Sequence, residues 1–163
     1  MHYARLQQTQ IPDLAPVYGG TRGRTMSSRH QAYAWRALQE AGIKTIIDLR
    51  EKDKAERLPA LCNEYGMRYF HYPVDTTAEA IAKMVELFPQ FSALLDEGDF
   101  YIACAMGLHR TDIALNAYWM FHAADMGCNH RRYVVIGKKT GIVPTNCIAF
   151  SMRYMPLLPN ATE

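Results

Sequence analysis

Long hydrophobic runs, low-complexity tracts and internal repeats are all missing from this 163-residue sequence. No apolar run approaches the roughly 18 residues that a transmembrane helix needs, so we predict no transmembrane segment. The opening MHYARLQQTQ lacks the apolar core of a secretory signal, so we expect no leader and a cytoplasmic location. With 49% hydrophobic and 21% charged residues, the composition suits one compact domain over residues 1–163, with 1–15 as an irregular N-terminal extension.

Cysteine is scarce, and its spacing argues against a common kind of metal site. The four cysteines form no Cys-x-x-Cys pair and stand far apart in the chain, at Cys62, Cys104, Cys128 and Cys147. A structural zinc site usually needs such close pairs, and without a secretory leader the expected compartment is reducing. We therefore predict free thiols, no bound metal and no organic cofactor.

A large excess of charge of one sign is also missing. The net charge of +2 does not favour a nucleic-acid-binding role. The charges are nevertheless unevenly spread, with a net of +4 over residues 1–50, −5 over 51–99 and +3 over 100–163. If the two basic segments meet in the fold, they would face an anionic ligand. The alternative interpretation is ordinary solvated surface charge.

Segments typical of strands and helices alternate along the chain. Predicted strands cover residues 44–49, 67–74 and 100–103. Predicted helices run from Ser27 or Ser28 to about 40, then over 56–65, 110–124, 129–136 and 144–154. Another helix is predicted to open at 76–77 and to reach Pro89, which either breaks it or starts a second short helix. Residues 19–24 are predicted to form a turn-rich basic loop. The alternation predicts a single α/β domain with a central, mostly parallel sheet of four to five strands flanked by helices.

The segment from Cys104 to Thr111 reads Cys-Ala-Met-Gly-Leu-His-Arg-Thr and joins a predicted strand to a predicted central helix. Ligands of such sheets bind beyond the carboxyl ends of the strands. A tight loop here would gather backbone N–H groups and a helix N-terminus around an oxyanion, and would favour the thiolate form of a cysteine at its base. Arg110 can grip two phosphate oxygens in a bidentate fork, and Gly107 allows a close backbone turn.

This Cys-x5-Arg-Thr segment resembles the signature loop of protein tyrosine and dual-specificity phosphatases. Segments 17–22, 42–50 and 69–75 are similar to segments of compact, atypical members, so the resemblance covers roughly residues 16–125. The Gly-x-His-Arg-Thr ending is also similar to that of fungal and plant inositol pyrophosphate phosphatases. The resemblance implies a cysteine-dependent phosphatase with its loop between a strand and a central helix, which hydrolyses phosphate monoesters through a phosphocysteine intermediate.

The resemblance also implies roles for individual residues. Cys104 would be the nucleophile, Arg110 the phosphate clamp and Thr111 the hydroxyl that eases departure of the thiolate. Asp75, 29 residues before Cys104, would be the general acid, with Asp53 and Glu51 as alternatives. The residues expected to bind the substrate are Ala105, Met106, Gly107, Leu108 and His109 in the loop, with Arg22 and Arg24 flanking the pocket mouth. No motif identifies a water-positioning residue, and the candidate is Asn146, in the turn that opens the last predicted helix.

Two positions depart from the family pattern. Ala103 stands where most members have histidine, and Asp112 stands where they usually have glycine and puts a negative charge near the phosphate site. Three functions therefore stay open. The first is a phosphotyrosine or dual-specificity phosphatase with a phosphorylated protein as partner. The second is a phosphatase of a phosphoinositide or an inositol (pyro)phosphate, and the third is a catalytically weak phosphate-binding module.

Overall fold

The computed structural model describes residues 6, 11, 14–17, 19–26, 32–51, 57–75, 77–105 and 109–126. Some of the sequence predictions lie outside these residues: most of the N-terminal extension, the helices over 129–136 and 144–154, Cys128 and Cys147, the alternative acid Asp53, Asn146, and Met106, Gly107 and Leu108 of the loop.

A five-stranded sheet forms the centre of the described structure. Its strands are β1 (Ala15–Val17), β2 (Gly20–Arg24), β3 (Thr45–Asp48), β4 (Arg68–His71) and β5 (Phe100–Cys104). They lie side by side in the order β1-β2-β5-β3-β4, and only the β1–β2 pairing is antiparallel. The prediction of a mostly parallel sheet is thus confirmed. The strand that ends in Cys104 lies in the middle of the sheet, between β2 and β3.

Four helices flank this sheet in the described part of the chain: α1 (Ala32–Glu40), α2 (Leu58–Glu64), α3 (Ala78–Glu97) and α4 (His109–Met126). None of them combines the length and the apolar character that crossing a membrane requires. Thr77 caps α3 by accepting a hydrogen bond from the backbone N–H of Ala80 at 3.1 Å. Both predictions for Pro89, a break or the start of a second helix, are wrong, because α3 runs through it without interruption. Proline removes one helical hydrogen bond, but buried side chains before and after it, among them Met84 and Phe91, keep both halves on the sheet.

The core has two parts, one on each face of the sheet. Phe100, Ile102 and Cys104 of β5 pack in one cluster with residues of α3 and α4. Tyr101 and Ala103 pack in the other cluster with residues of α1 and α2. This division follows from the alternation of side chains along a strand. It places the Cys104 thiol on the face of the sheet that α4 covers.

Strand β2 differs from the sequence prediction, which made residues 19–24 a loop. Residues Gly20–Arg24 instead pair with β5, and Arg24 lies opposite Cys104. A Cβ atom at Gly20 would come within 2.6 Å of Phe100, and one at Gly23 within 2.4 Å of the Tyr101 hydroxyl. These glycines therefore serve the close approach of a strand to bulky aromatic neighbours.

Candidate active site

The carboxyl ends of three adjacent strands bring the site together. The backbone N–H of Thr25, after β2, donates to the carbonyl of Cys104 at 3.1 Å, and the N–H of Leu49, after β3, donates to the carbonyl of Ala103 at 2.9 Å. Cys104 is only 3% exposed, whereas the next residue, Ala105, faces solvent. The thiol thus lies at the buried base of the segment that leads into α4.

Thr111 contacts the sulfur of Cys104 directly. Its hydroxyl Oγ1 donates a hydrogen bond to Sγ at 3.4 Å, and both residues are buried. The contact arises because α4 begins at His109, so Thr111 lies in its first turn and on the side that faces β5. A hydroxyl that donates to sulfur stabilises negative charge there, so the contact is compatible with the role predicted for Thr111.

Arg110, one residue earlier in the same turn, is 29% exposed. Its Nη2 donates to Oε1 of Glu51 at 2.9 Å, and Glu51 follows β3. The sequence named Glu51 as an alternative acid, and in the structure its carboxylate contacts the guanidinium of Arg110. Since a guanidinium carries five N–H donors, one carboxylate partner leaves others free to hold two phosphate oxygens.

Asp112, the third residue in this run, pairs with Arg22 of β2. Nη1 of Arg22 donates to Oδ1 of Asp112 at 2.6 Å, and the two side chains are 0% and 1% exposed. The prediction that Arg22 flanks a pocket mouth is therefore corrected, since a strand residue buried this deeply faces the protein interior. Arg24 is partly buried in the same strand, and its carbonyl accepts a hydrogen bond from the Tyr101 hydroxyl.

The first turn of α4 is thus tied to three neighbouring strands by three consecutive residues. Arg110 contacts the segment after β3, Thr111 contacts the end of β5, and Asp112 contacts β2. Because β5 lies between β2 and β3, the two ion pairs hold the helix from both sides of the cysteine. The orientation of this turn relative to Cys104 is therefore set by side chains as well as by the chain connection.

Asp75 lies at the same edge of the sheet, beyond β4. The backbone N–H of Tyr72 donates to the backbone carbonyl of Asp48 at 2.9 Å, and that of Val74 donates to the carbonyl of Leu49 at 3.2 Å, so the chain follows the end of β3 up to Asp75. Val74 belongs to the same core cluster as Cys104. Asp75 itself is partly buried and precedes the cap of α3.

A buried polar cluster that the sequence analysis missed holds the segment between β3 and Glu51. Asp48 is fully buried and accepts hydrogen bonds from Nε and Nη2 of Arg50 at 3.0 and 3.1 Å and from the Tyr69 hydroxyl at 3.0 Å. Burial, followed by the charge of Asp48, raises the pKa of Tyr69 well above its ordinary value. The sequence carried one signal for this cluster. Asp48 ends an apolar strand and Arg50 follows two residues later, and charged side chains at the end of a buried strand need partners inside the protein.

Cys62 of α2 lies near this cluster and differs from Cys104. Burial and then the charge of Asp48 raise the pKa of the Cys62 thiol to about 12. Such a thiol stays protonated at neutral pH and is a poor nucleophile. Of the two cysteines in the described residues, Cys104 alone has a hydroxyl bonded to sulfur and an arginine in the adjoining helix turn.

A parallel sheet whose central strand delivers a buried cysteine to the first turn of a helix, with arginine six residues later, is the arrangement of the protein tyrosine and dual-specificity phosphatase superfamily. Within it, residues 20–124 match the family model Tc-R-P, described as a DSP-PTPase phosphatase of polymorphic toxin systems. The chain belongs to this family and is a phosphatase, an enzyme of the phosphoric monoester hydrolase class.

Solved structures share the fold at low sequence identity. Kinase associated phosphatase (KAP), with its catalytic-site cysteine changed to serine, matches with a TM-score of 0.67 and 11% identity, over 93% of this chain and 97% of that one. The core catalytic domain of the PP-IP phosphatase SIW14 from S. cerevisiae matches with 0.61 and 13%, over 90% and 88%. A cysteine-to-serine variant of P. aeruginosa TpbA in complex with pTyr matches with 0.57 and 16%, over 88% and 82%. No curated protein matches the sequence significantly.

Proposed function

We propose that this enzyme is a phosphotyrosine or dual-specificity protein phosphatase that works through a phosphocysteine intermediate on Cys104. The observation that carries the proposal is the hydrogen bond from Thr111 to the Cys104 sulfur, with Arg110 in the same helix turn. The proposal assigns the nucleophile to Cys104, the sulfur-stabilising hydroxyl to Thr111 and the phosphate clamp to Arg110, which lie at one strand end. The N-terminus of α4 adds positive potential for an oxyanion.

In the first step, the phosphate lies between Cys104 and the start of α4, with two of its oxygens on Arg110. The thiolate of Cys104 attacks phosphorus, and the bond from phosphorus to the leaving oxygen breaks. Asp75 gives its proton to that oxygen, so the alcohol or phenol departs neutral. The phosphoryl group is then bonded to sulfur.

In the second step, water attacks the phosphorus of the phosphocysteine. Asp75, now a carboxylate, accepts the proton from water, and the phosphorus–sulfur bond breaks with its electron pair returning to Cys104. The Thr111 hydroxyl stabilises the thiolate as it leaves. Inorganic phosphate is released, and Asp75 is again protonated for the next cycle.

Two substrate classes compete for this site. Phosphotyrosine is supported by the fold shared with TpbA, whose variant binds pTyr, and by the internal pairing of Arg22, which removes one cation from those available to extra phosphates. Inositol pyrophosphate is the second candidate, because SIW14 shares the fold over 90% of the chain and the loop ends in Gly-x-His-Arg-Thr. We favour phosphotyrosine because a monophosphorylated side chain needs no cation beyond the clamp.

The test is phosphate release from a panel: a phosphotyrosine peptide, its phosphoserine counterpart, a soluble inositol pyrophosphate and phosphoinositide vesicles. Cys104→Ser is the matched control for every substrate, since it keeps Arg110 and the helix start. We expect the highest kcat/KM for the phosphotyrosine peptide and no turnover in the control. A kcat/KM at least about tenfold higher for the inositol pyrophosphate would replace the first candidate by the second.

We also propose a cytoplasmic location. Cys62 and Cys104 are free thiols in the described part of the chain, and the proposed mechanism needs Cys104 reduced. Thiols persist in reducing compartments, where disulfides are rare.

A further inference from the structure

Arg22 and Asp112 form a fully buried ion pair, and stability alone does not explain its presence. Withdrawing two charges from water is unfavourable, and apolar residues of similar volume are often as stabilising as such a pair. Arginine keeps its charge even when buried. A buried guanidinium in β2 and a carboxylate in the first turn of α4 therefore make a pair whose position in the fold calls for a functional explanation.

The pair lies next to the groups that carry the proposed chemistry. Arg22 is opposite Ile102 in β5, two residues before Cys104. Asp112 directly follows Thr111, whose hydroxyl donates to the Cys104 sulfur. A carboxylate in the first turn of a helix opposes the attraction of that turn for an anion. Arg22 cancels this charge at a distance of 2.6 Å.

We propose, building on the proposed phosphatase function, that Arg22 and Asp112 are positioning residues for the phosphate site. They fix the first turn of α4 against β2, and they keep the local charge neutral so that Asp112 does not repel the phosphate. Neither side chain touches the substrate. Both act through Thr111 and Arg110, the two residues that precede Asp112 in the turn.

Single substitutions make opposite changes to the charge beside the phosphate. Asp112→Asn leaves the Arg22 cation in place without its negative partner, so an oxyanion should bind more tightly. Arg22→Met leaves the carboxylate without this cation, so an oxyanion should bind more weakly. Arg22→Lys keeps the charge and should restore the affinity. A purely structural pair would destabilise the fold in each case and would not shift binding in opposite directions.

The experiment is calorimetric titration of the full chain with vanadate at low salt and pH 8, together with Tm and with kcat and KM for an aryl phosphate. We expect the Kd of vanadate to fall at least about threefold in Asp112→Asn and to rise at least about threefold in Arg22→Met. Lys83→Met is the matched control, because it removes a cation from an exposed ion pair with Glu86 on α3 and should leave the Kd unchanged. Shifts of Kd in the same direction in both pair variants would overturn the proposal.

If the single variants do not fold, a double variant tests whether the pair positions the helix turn. Arg22→Met/Asp112→Leu carries neither charge and should fold, and its vanadate Kd should not fall below that of the wild type as in Asp112→Asn. Its kcat should fall at least about tenfold, because the helix turn is no longer tied to β2. An unchanged kcat in this variant would exclude the positioning role. If the wild type neither binds vanadate nor hydrolyses the aryl phosphate, the proposed function itself fails, which is a separate result.

Discussion

Two ion pairs hold the first turn of α4, and they differ most in exposure. In the Arg110–Glu51 pair the side chains are 29% and 51% exposed, whereas Arg22 and Asp112 are fully buried. An exposed pair contributes about 0–1 kcal/mol and exchanges partners readily, but breaking a buried pair leaves a charge that water cannot reach. Burial therefore decides which arginine is available to a substrate and which belongs to the scaffold.

Two carboxylates at the site, Asp75 and Glu51, should also differ, and the difference lies in how their substitution changes the rate of hydrolysis. Asp75→Asn should slow hydrolysis of an alkyl phosphate by about 10²–10⁴-fold and that of an activated aryl phosphate much less, because only the alkyl leaving group needs the proton. Glu51→Gln should change both substrates equally and by less than about fivefold. The measurement is kcat for a series of leaving groups. If Glu51→Gln shows the dependence on the leaving group, the acid is Glu51.

Removing the exposed arginine should affect activity and spare stability. Arg110→Met should lower kcat/KM by about 10²–10³-fold, because the guanidinium is the expected clamp on the phosphate oxygens. The free energy of unfolding should change by no more than about 1 kcal/mol. Hydrolysis of an aryl phosphate and urea denaturation of the same preparation give both values. A large loss of stability would show that Arg110 is as structural as Arg22.

Removing the buried arginine, in contrast, should lower the free energy of unfolding. Arg22→Met should lower the free energy of unfolding by about 3–5 kcal/mol, since Asp112 is left in the interior without this cation. Adding Asp112→Leu should recover most of the loss. Urea denaturation at pH 7 of the single and double variants checks both statements. A single variant as stable as the wild type would mean that water or another group compensates the charge of Asp112.

The smallest expected effect concerns Cys62, whose thiol lies near Asp48. The pKa of Cys62 is about 12 in the folded protein against 9.0 for an ordinary thiol. Between these values the unfolded chain loses the proton and the folded chain keeps it, so stability falls as the pH rises above about 9. Urea denaturation at pH 8 and 10.5 should show this decline, at up to about 1 kcal/mol per pH unit. The decline should be smaller in Cys62→Ala.

Features with local causes could be predicted from the sequence. The step from a buried strand through Cys104 into α4 depends on neighbouring residues, and the structure confirms that step. Strand β2 was missed because its glycines also suit turns, and what distinguishes the two is contact with Phe100 and Tyr101, about 80 residues later in the chain. The burial of Arg22 was missed for the same reason, because Asp112 is 90 residues away. Glu51 could be identified from the sequence as a carboxylate after a strand. Its contact with Arg110 depends on how α4 packs, which the sequence does not indicate.

The buried pair also limits the paths by which this sequence can change. A substitution at position 22 or 112 alone removes one charge of this buried pair and takes about 3–5 kcal/mol from a total stability that is typically about 5–15 kcal/mol. Many chains that carry only one of the two substitutions would therefore be too unstable to function. The two positions, 90 residues apart in the chain, should therefore vary together in descendants of this protein, with both charged or both neutral. A glycine at position 112 should be accompanied by an uncharged residue at position 22.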